Sequence, residues 1–230
     1  MTKTIFIAGT DTGVGKSVIC GLLARHLALT GRSVVTQKWI QTGCTDFSSD
    51  IRLHDKIIGN KAKTLQGYSN LRCPYLFKAA VSPHLAARLE KRKINPQKIK
   101  NSFKLLLGKF DYLIVEGAGG LLVPFSEKGL IVDLVQELHL AVLLVVENKL
   151  GAINHALLTL EALSKRKIKL LGIVFNNAKM QKKIVLQDNP QIIRSIGRAR
   201  IFGTLPWLEN PKKLSEKFSP IGEKICRAIE

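Results

Sequence analysis

Five apolar runs of strand length, at 4–8, 33–37, 112–115, 141–146 and 170–175, are built from β-branched and aliphatic residues and are nearly continuous rather than alternating. A strand with one wet face alternates, whereas a continuous run belongs to a strand covered on both faces, as in a parallel sheet. Between these runs the apolar positions recur every three to four residues. This predicts helices over 16–30, with Gly31 as the stop, 83–92, 96–107, 131–138 and 152–165. Strand followed by helix, repeated, predicts an α/β fold: a mostly parallel sheet with right-handed crossovers, flanked by helices. A last strand is expected at 201–205, then a loop over 206–211 and an amphipathic helix over 214–229. No repeat or Pro/Gly/Ser linker divides the chain, so residues 1–230 read as a single domain.

Composition narrows the class. Hydrophobic residues at 46% and charged residues at 23% are ordinary for a packed domain and exclude intrinsic disorder. The longest apolar stretch, 138–146, is interrupted by His139 and followed by Glu147 and Lys149. It falls short of the roughly 20 residues that cross a bilayer, so no membrane is expected. The N-terminus lacks the basic start and long apolar segment of an export signal. Cys20, Cys44, Cys73 and Cys226 are scattered, with no CxxC pair or zinc-like His spacing, which fits reduced thiols and a cytoplasmic location. The net charge of +19 sits largely in two stretches, 56–109 and 165–200, whose only acidic residues are Glu90 and Asp188. Aromatics are not interleaved with these charges and no recognition motif accompanies them. The basic face therefore reads as solvated, and nucleic acid is not an expected partner.

The candidate chemistry begins at Gly9-Thr10-Asp11-Thr12-Gly13-Val14-Gly15-Lys16-Ser17, directly after the first strand and opening the first helix. Backbone N–H groups of such a loop face phosphate oxygens, and the helix N-terminus adds positive partial charge. Lys16 is placed to reach the β- and γ-phosphates, and the Ser17 hydroxyl to bind Mg²⁺. The first glycine stands one residue earlier than the standard spacing, so this is a variant loop. Glu116 ends an apolar run and precedes Gly117-Ala118-Gly119-Gly120, which puts a carboxylate at the strand edge where open parallel sheets bind ligands. Asp50, beside Ser48 and Ser49, suits either a metal site or a helix cap. Lys38 ends the second strand at the same edge and precedes Gln41-Thr42-Gly43; it suits either a solvated surface or a second cation near the phosphates.

These segments, with CPYLF at 73–77, Ser82-Pro83-His84, VEGAGG at 115–120, KLGAINHALLT at 149–159 and LPWL at 205–208, run in order along the chain and resemble the dethiobiotin synthetases, ATP-dependent ligases of biotin synthesis with a P-loop NTPase fold. The resemblance implies closure of a ureido ring on 7,8-diaminopelargonate with CO₂ and MgATP, through a carbamate and a carbamic-phosphoric anhydride. It implies Lys16, Lys38 and Thr12 as catalytic residues, and Ser17, Asp50 and Glu116 as Mg²⁺ ligands. Nucleotide would be held by Gly13, Val14, Gly15, Lys16, Ser17, Val18, Glu116, Gly117, Ala118 and Gly119. Asn176 would read adenine, with Asn177, Pro206, Trp207 and Leu208 closing over the base. Thr12, Lys38, Thr42, Gly151 and Asn154 would bind the diamine substrate, the last two from the partner subunit of a homodimer. On the residues alone, Asn154 suits a helix cap equally well.

Three departures stand out. Trp39 replaces the Pro common after the lysine and is expected to reshape the diamine pocket. Glu147-Asn148 replaces small or uncharged residues. The 46–71 segment aligns loosely, which leaves Asp50 and Asp55 as competing metal ligands. The runner-up, a partition- or septum-type regulatory ATPase, carries a signature lysine early in the loop, where this chain has Asp11.

Overall fold

The computed structural model describes residues 1–178, 180–208 and 211–229. In chain order the elements are β1 (Lys3–Gly9), α1 (Lys16–Leu29), β2 (Val34–Lys38), β3 (Ile40–Gln41), α2 (Ser49–Ile58), a 3₁₀ stretch (Gly59–Tyr68), α3 (Ser69–Arg72), β4 (Tyr75–Leu76) and α4 (Pro83–Leu89). There follow α5 (Pro96–Leu106), β5 (Tyr112–Gly120), α6 (Ile131–Glu137), β6 (Ala141–Glu147), α7 (Ala152–Lys165), β7 (Leu170–Asn176), α8 (Lys183–Gly197), β8 (Ile201–Leu205) and α9 (Pro211–Ile229).

Six strands form one parallel sheet in the order β2-β5-β1-β6-β7-β8, and β3 and β4 form a separate parallel pair. The continuous apolar runs are the strands buried on both faces: Ile5, Phe6, Ile7, Leu113, Ile114, Val115 and residues 142–146 are solvent-inaccessible. Because every strand points the same way, all their C-terminal ends meet at one edge. The chain reverses its direction of progress across the sheet around β1, and such a switch point opens a crevice at that edge. Register fixes which side chains gather there, with Lys38 level with Glu116 and Glu147 level with Asn176.

Predicted helices over 83–92 and 131–138 overrun the observed ends at Leu89 and Glu137. Lys91 and His139 turn the chain in the left-handed region, at φ 51° each, where a glycine would have marked the stop. Helix α8 was not legible because Pro190 lies inside it, and proline ordinarily argues against a helix interior. The final helix begins at Pro211, ahead of the expected start.

Candidate active site

The loop between β1 and α1 is shaped by its glycines. Gly13 and Gly15 have φ of 77° and 100°, a region costly to residues with a Cβ. Gly15 is the N-cap of α1 and makes no side-chain cap, so the leading N–H groups of the helix stay available to an anion. From behind, Asn176 Nδ2 donates to the Val14 carbonyl at 3.0 Å, and a Cβ on Gly15 would run into that carboxamide. Lys16 folds back so that Nζ donates to the Asp11 carbonyl at 2.7 Å. Burial, and then the neighbouring Lys38 ammonium, lower the Lys16 pKa to about 8.

Lys38 is the centre of the arrangement. Its Nζ lies 2.6 Å from Asp50 Oδ2 and 2.7 Å from Glu116 Oε1, and donates to the Gly117 carbonyl at 2.9 Å. Ser17 Oγ donates to the same Glu116 Oε1 at 2.9 Å. Burial opposes the charge on Lys38, but Glu116 and Asp50 outweigh it and raise the ammonium above its ordinary pKa. Burial likewise favours a neutral Glu116; Lys38, followed by His54, overcomes this and holds the carboxyl well below the usual carboxylate range. The site is thus a fixed set of charges in a place with little water, where such charges act strongly.

A cavity of about 710 Å³ opens over this cluster. Of the sequence-derived candidates, Thr12, Gly13, Gly15, Lys16, Ser17, Val18, Lys38, Thr42, Asp50, Glu116, Ala118 and Gly119 line it. Gly117 contributes its carbonyl to Lys38, and Val14 is buried behind the loop. The far wall is the 80–83 segment, which sequence reasoning did not assign. Geometry places Asp50 and Asp55 differently. Ser48 is the cap of α2, its Oγ accepting from Ile51 N at 3.1 Å, which leaves the Asp50 carboxylate for Lys38. Asp55 is instead engaged by Arg72 at 2.6 and 3.0 Å.

Other candidates lie apart from the cavity. Asn176 and Asn177 stand at the end of β7, on the opposite side of the phosphate loop from Lys38, and Asn177 N donates to the Leu205 carbonyl at 2.9 Å. Pro206, Trp207 and Leu208 follow β8, with Trp207 half exposed. Gly151 caps α7 with its backbone only, and Asn154 is exposed and makes no cap bond, so the capping reading of Asn154 does not hold.

The expectation for Trp39 is also corrected. It stands at the bend between β2 and β3, where it is buried, donates to Gln37 Oε1 at 2.9 Å and packs against Phe6 with ring centroids 5.1 Å apart. Glu147 turns to Lys149 at 2.7 Å, and Asn148 bonds the Leu186 carbonyl and Asn189. Sequence reasoning missed His54, whose Nε2 lies 2.8 Å from Glu116 Oε2; its spacing of four from Asp50 was the available signal.

Comparisons with known proteins give the family of the chain. A family model described as an AAA domain matches residues 3–213. An ATP-dependent dethiobiotin synthetase of Haemophilus influenzae is 46% identical over 178 residues, covering 76% of this chain and 92% of the relative. The corresponding enzyme of Chlorobaculum tepidum is 38% identical, covering 90% of this chain and 86% of the relative. The chain belongs to the dethiobiotin synthetase family. Among solved structures, a plasmid partition protein of Borrelia burgdorferi aligns with a TM-score of 0.64 at 16% identity, over 98% of each chain. A cell-division protein MinD of Aquifex aeolicus aligns at 0.58 and 18% identity, over 98% of this chain and 96% of the neighbour. At such identities the likeness is one of fold. The dethiobiotin synthetases set the family. Among the described residues no helix is long and apolar enough to cross a membrane.

Proposed function

We propose that the chain, working as one unit over residues 1–230, closes the ureido ring of dethiobiotin from 7,8-diaminopelargonate, CO₂ and ATP. The observation that carries the reading is the convergence of Lys16, Lys38 and the Thr12–Thr42 hydroxyls on one cavity beside a phosphate loop, in a chain of this family. One amine of the substrate attacks CO₂ and loses a proton, giving a carbamate. A carbamate oxygen then attacks the γ-phosphorus and ADP departs. The second amine attacks the carbamoyl carbon, and phosphate leaves as the ring closes. Lys38, held charged by Glu116 and Asp50, offsets the carbamate and phosphate anions, while Lys16 leaves the Asp11 carbonyl for the phosphates. Catalysis of this kind is mainly positioning and charge neutralisation.

The residues fit Mg²⁺. The Lys38 ammonium already sits among the oxygens of Asp50, Glu116 and Gly117, with Ser17 Oγ beside Glu116 Oε1, a hard-oxygen set suited to this ion. When bound, Mg²⁺ neutralises phosphate charge and makes the γ-phosphorus a better electrophile. Nucleotide would extend from the loop toward Asn176, Asn177, Pro206, Trp207 and Leu208. Gly151 and Asn154, exposed at the start of α7, would serve the substrate carboxylate of a partner subunit in a homodimer. The scattered cysteines, with no CxxC pair or zinc-like spacing, support a cytoplasmic enzyme. The test is ADP formation that requires both the diamine and bicarbonate, with the ring product identified by mass; ADP formation indifferent to the diamine would overturn the proposal.

A further inference from the structure

Glu116 is approached from two sides, and only one faces the cavity. Oε1 accepts from Ser17 Oγ and Lys38 Nζ. Oε2 points into the protein, 2.8 Å from Nε2 of His54, a residue with no solvent exposure. We propose that His54 is a positioning residue for Glu116: by donating from Nε2 to Oε2 it fixes the rotation of the carboxylate and leaves Oε1 as the oxygen presented to the reaction's cation. The inference rests on the metal reading given above.

Several independent features build the seat of this imidazole. His54 follows Asp50 by one helical turn, so α2 delivers a carboxylate and the brace of a second carboxylate from one face. Helix α2 reaches deep enough because α1 carries Gly21, where a Cβ would stand 2.8 Å from Ile57 Cδ1 and 3.3 Å from the His54 Cα. The other ring nitrogen, Nδ1, faces Cys20 Sγ at 4.0 Å. Nε2 faces Oε2, a carboxylate oxygen that only accepts, so the ring N–H of this contact lies on Nε2, directed at Glu116. Donor atoms of Cys20, His54 and Glu116 lie within 4.8 Å of one another, which invites a metal reading of the trio itself. The His54–Glu116 contact at 2.8 Å argues against it, because two ligands of one ion with bonds of about 2.0–2.3 Å stand roughly 3 Å or more apart. The contact is a hydrogen bond. Such braces behind ligands commonly change metal affinity by about 10- to 100-fold when removed.

The test uses the full chain with ADP and Mn²⁺ as the probe, free Mn²⁺ being read by electron paramagnetic resonance. His54→Leu is expected to weaken Mn²⁺ at least about tenfold while ADP binding without metal is unchanged. His54→Gln, whose carboxamide N–H reaches toward Oε2, is expected to stay within about threefold of the parent. A merely structural histidine would lower the melting temperature in both variants and leave Mn²⁺ affinity alone. Unchanged affinity in His54→Leu, or equal weakening in the two variants, overturns the inference. Glu116→Gln separates the two levels: if it too binds Mn²⁺ normally, the metal reading falls and the inference with it, whereas weak binding there with normal binding in His54→Leu removes the inference alone. Should His54→Leu not fold, ¹⁵N resonances of the parent ring decide: a protonated Nε2 supports the brace, and a bare Nε2 overturns it.

Discussion

Lys16 is buried with Lys38 as a like-charged neighbour, an arrangement that makes sense only if an anion arrives. Its pKa of about 8 lies below the ordinary lysine value of 10.5, so between these limits the unfolded chain binds more protons than the folded one. Stability therefore rises with pH through that window, and below about pH 8 the cost of the buried charge is fully present, about 3 kcal/mol at 1.36 kcal/mol per pH unit. Lys16→Met removes this cost and loses the bond to the Asp11 carbonyl, worth about 1 kcal/mol. The ligand-free variant is expected to melt about 4 °C above the parent at pH 7, with the gap closing toward pH 10.5, while turnover falls by about 10²-fold or more for want of a charge at the phosphates. Melting curves across pH, paired with the diamine-dependent assay, check both halves; a less stable Lys16→Met protein at pH 7 would contradict the account of Lys16 as a strained cation awaiting its ligand.

At the scale of elements, α2 and the turn before it organise the Asp50 end of the site. Gln41 Oε1 accepts from Ser48 Oγ at 2.7 Å and from Asp50 N at 3.3 Å, so β3 ties down the first turn that Ser48 caps. Ser48→Ala removes a cap and leaves Gln41 Oε1 short of a donor. The expected loss is about 1–2 kcal/mol, or about 2–8 °C in melting temperature, with a raised requirement for Mg²⁺ as Asp50 loosens; an unchanged melting temperature would show that the cap carries little.

The phosphate loop and Glu116 could be read from sequence because local rules dictate them: glycines with positive φ before a helix, and a carboxylate where an apolar run stops, although β5 itself continues past it to Gly120. Helix α2 could not be bounded, since a polar 46–71 segment offers little apolar contrast and its register is set by Gly21 on another helix. That is why the choice between Asp50 and Asp55 stayed open and His54 went unnoticed. Trp39 misled for a related reason: matching it to a family position says where its backbone lies, while its ring, at the bend between β2 and β3, packs into the core against Phe6.

Taken as a whole molecule, the proposed reading puts the reacting end of the substrate in one chain and its far end against another. The cavity is bounded by the phosphate loop, α2, the end of β5 and the 80–83 segment, and neither Gly151 nor Asn154 reaches it. Those two stand exposed at the N-terminus of α7, where unpaired N–H groups and the helix dipole favour a carboxylate. A two-fold dimer would bring the start of α7 of one subunit to the cavity of the other and build two equivalent sites at once. Lys16→Ala disables the phosphate half of a site, and a variant altered at Gly151 and Asn154 disables the carboxylate half. Each homodimer is expected to be inactive. In a mixed dimer one of the two sites combines both intact halves, so co-expression with different affinity tags and isolation of the doubly tagged species is expected to recover up to about half of the parental activity per dimer, by the symmetry of the assembly. Verified mixed dimers without recovery would mean that each subunit binds its substrate alone, and would return Gly151 and Asn154 to the role of an ordinary helix start.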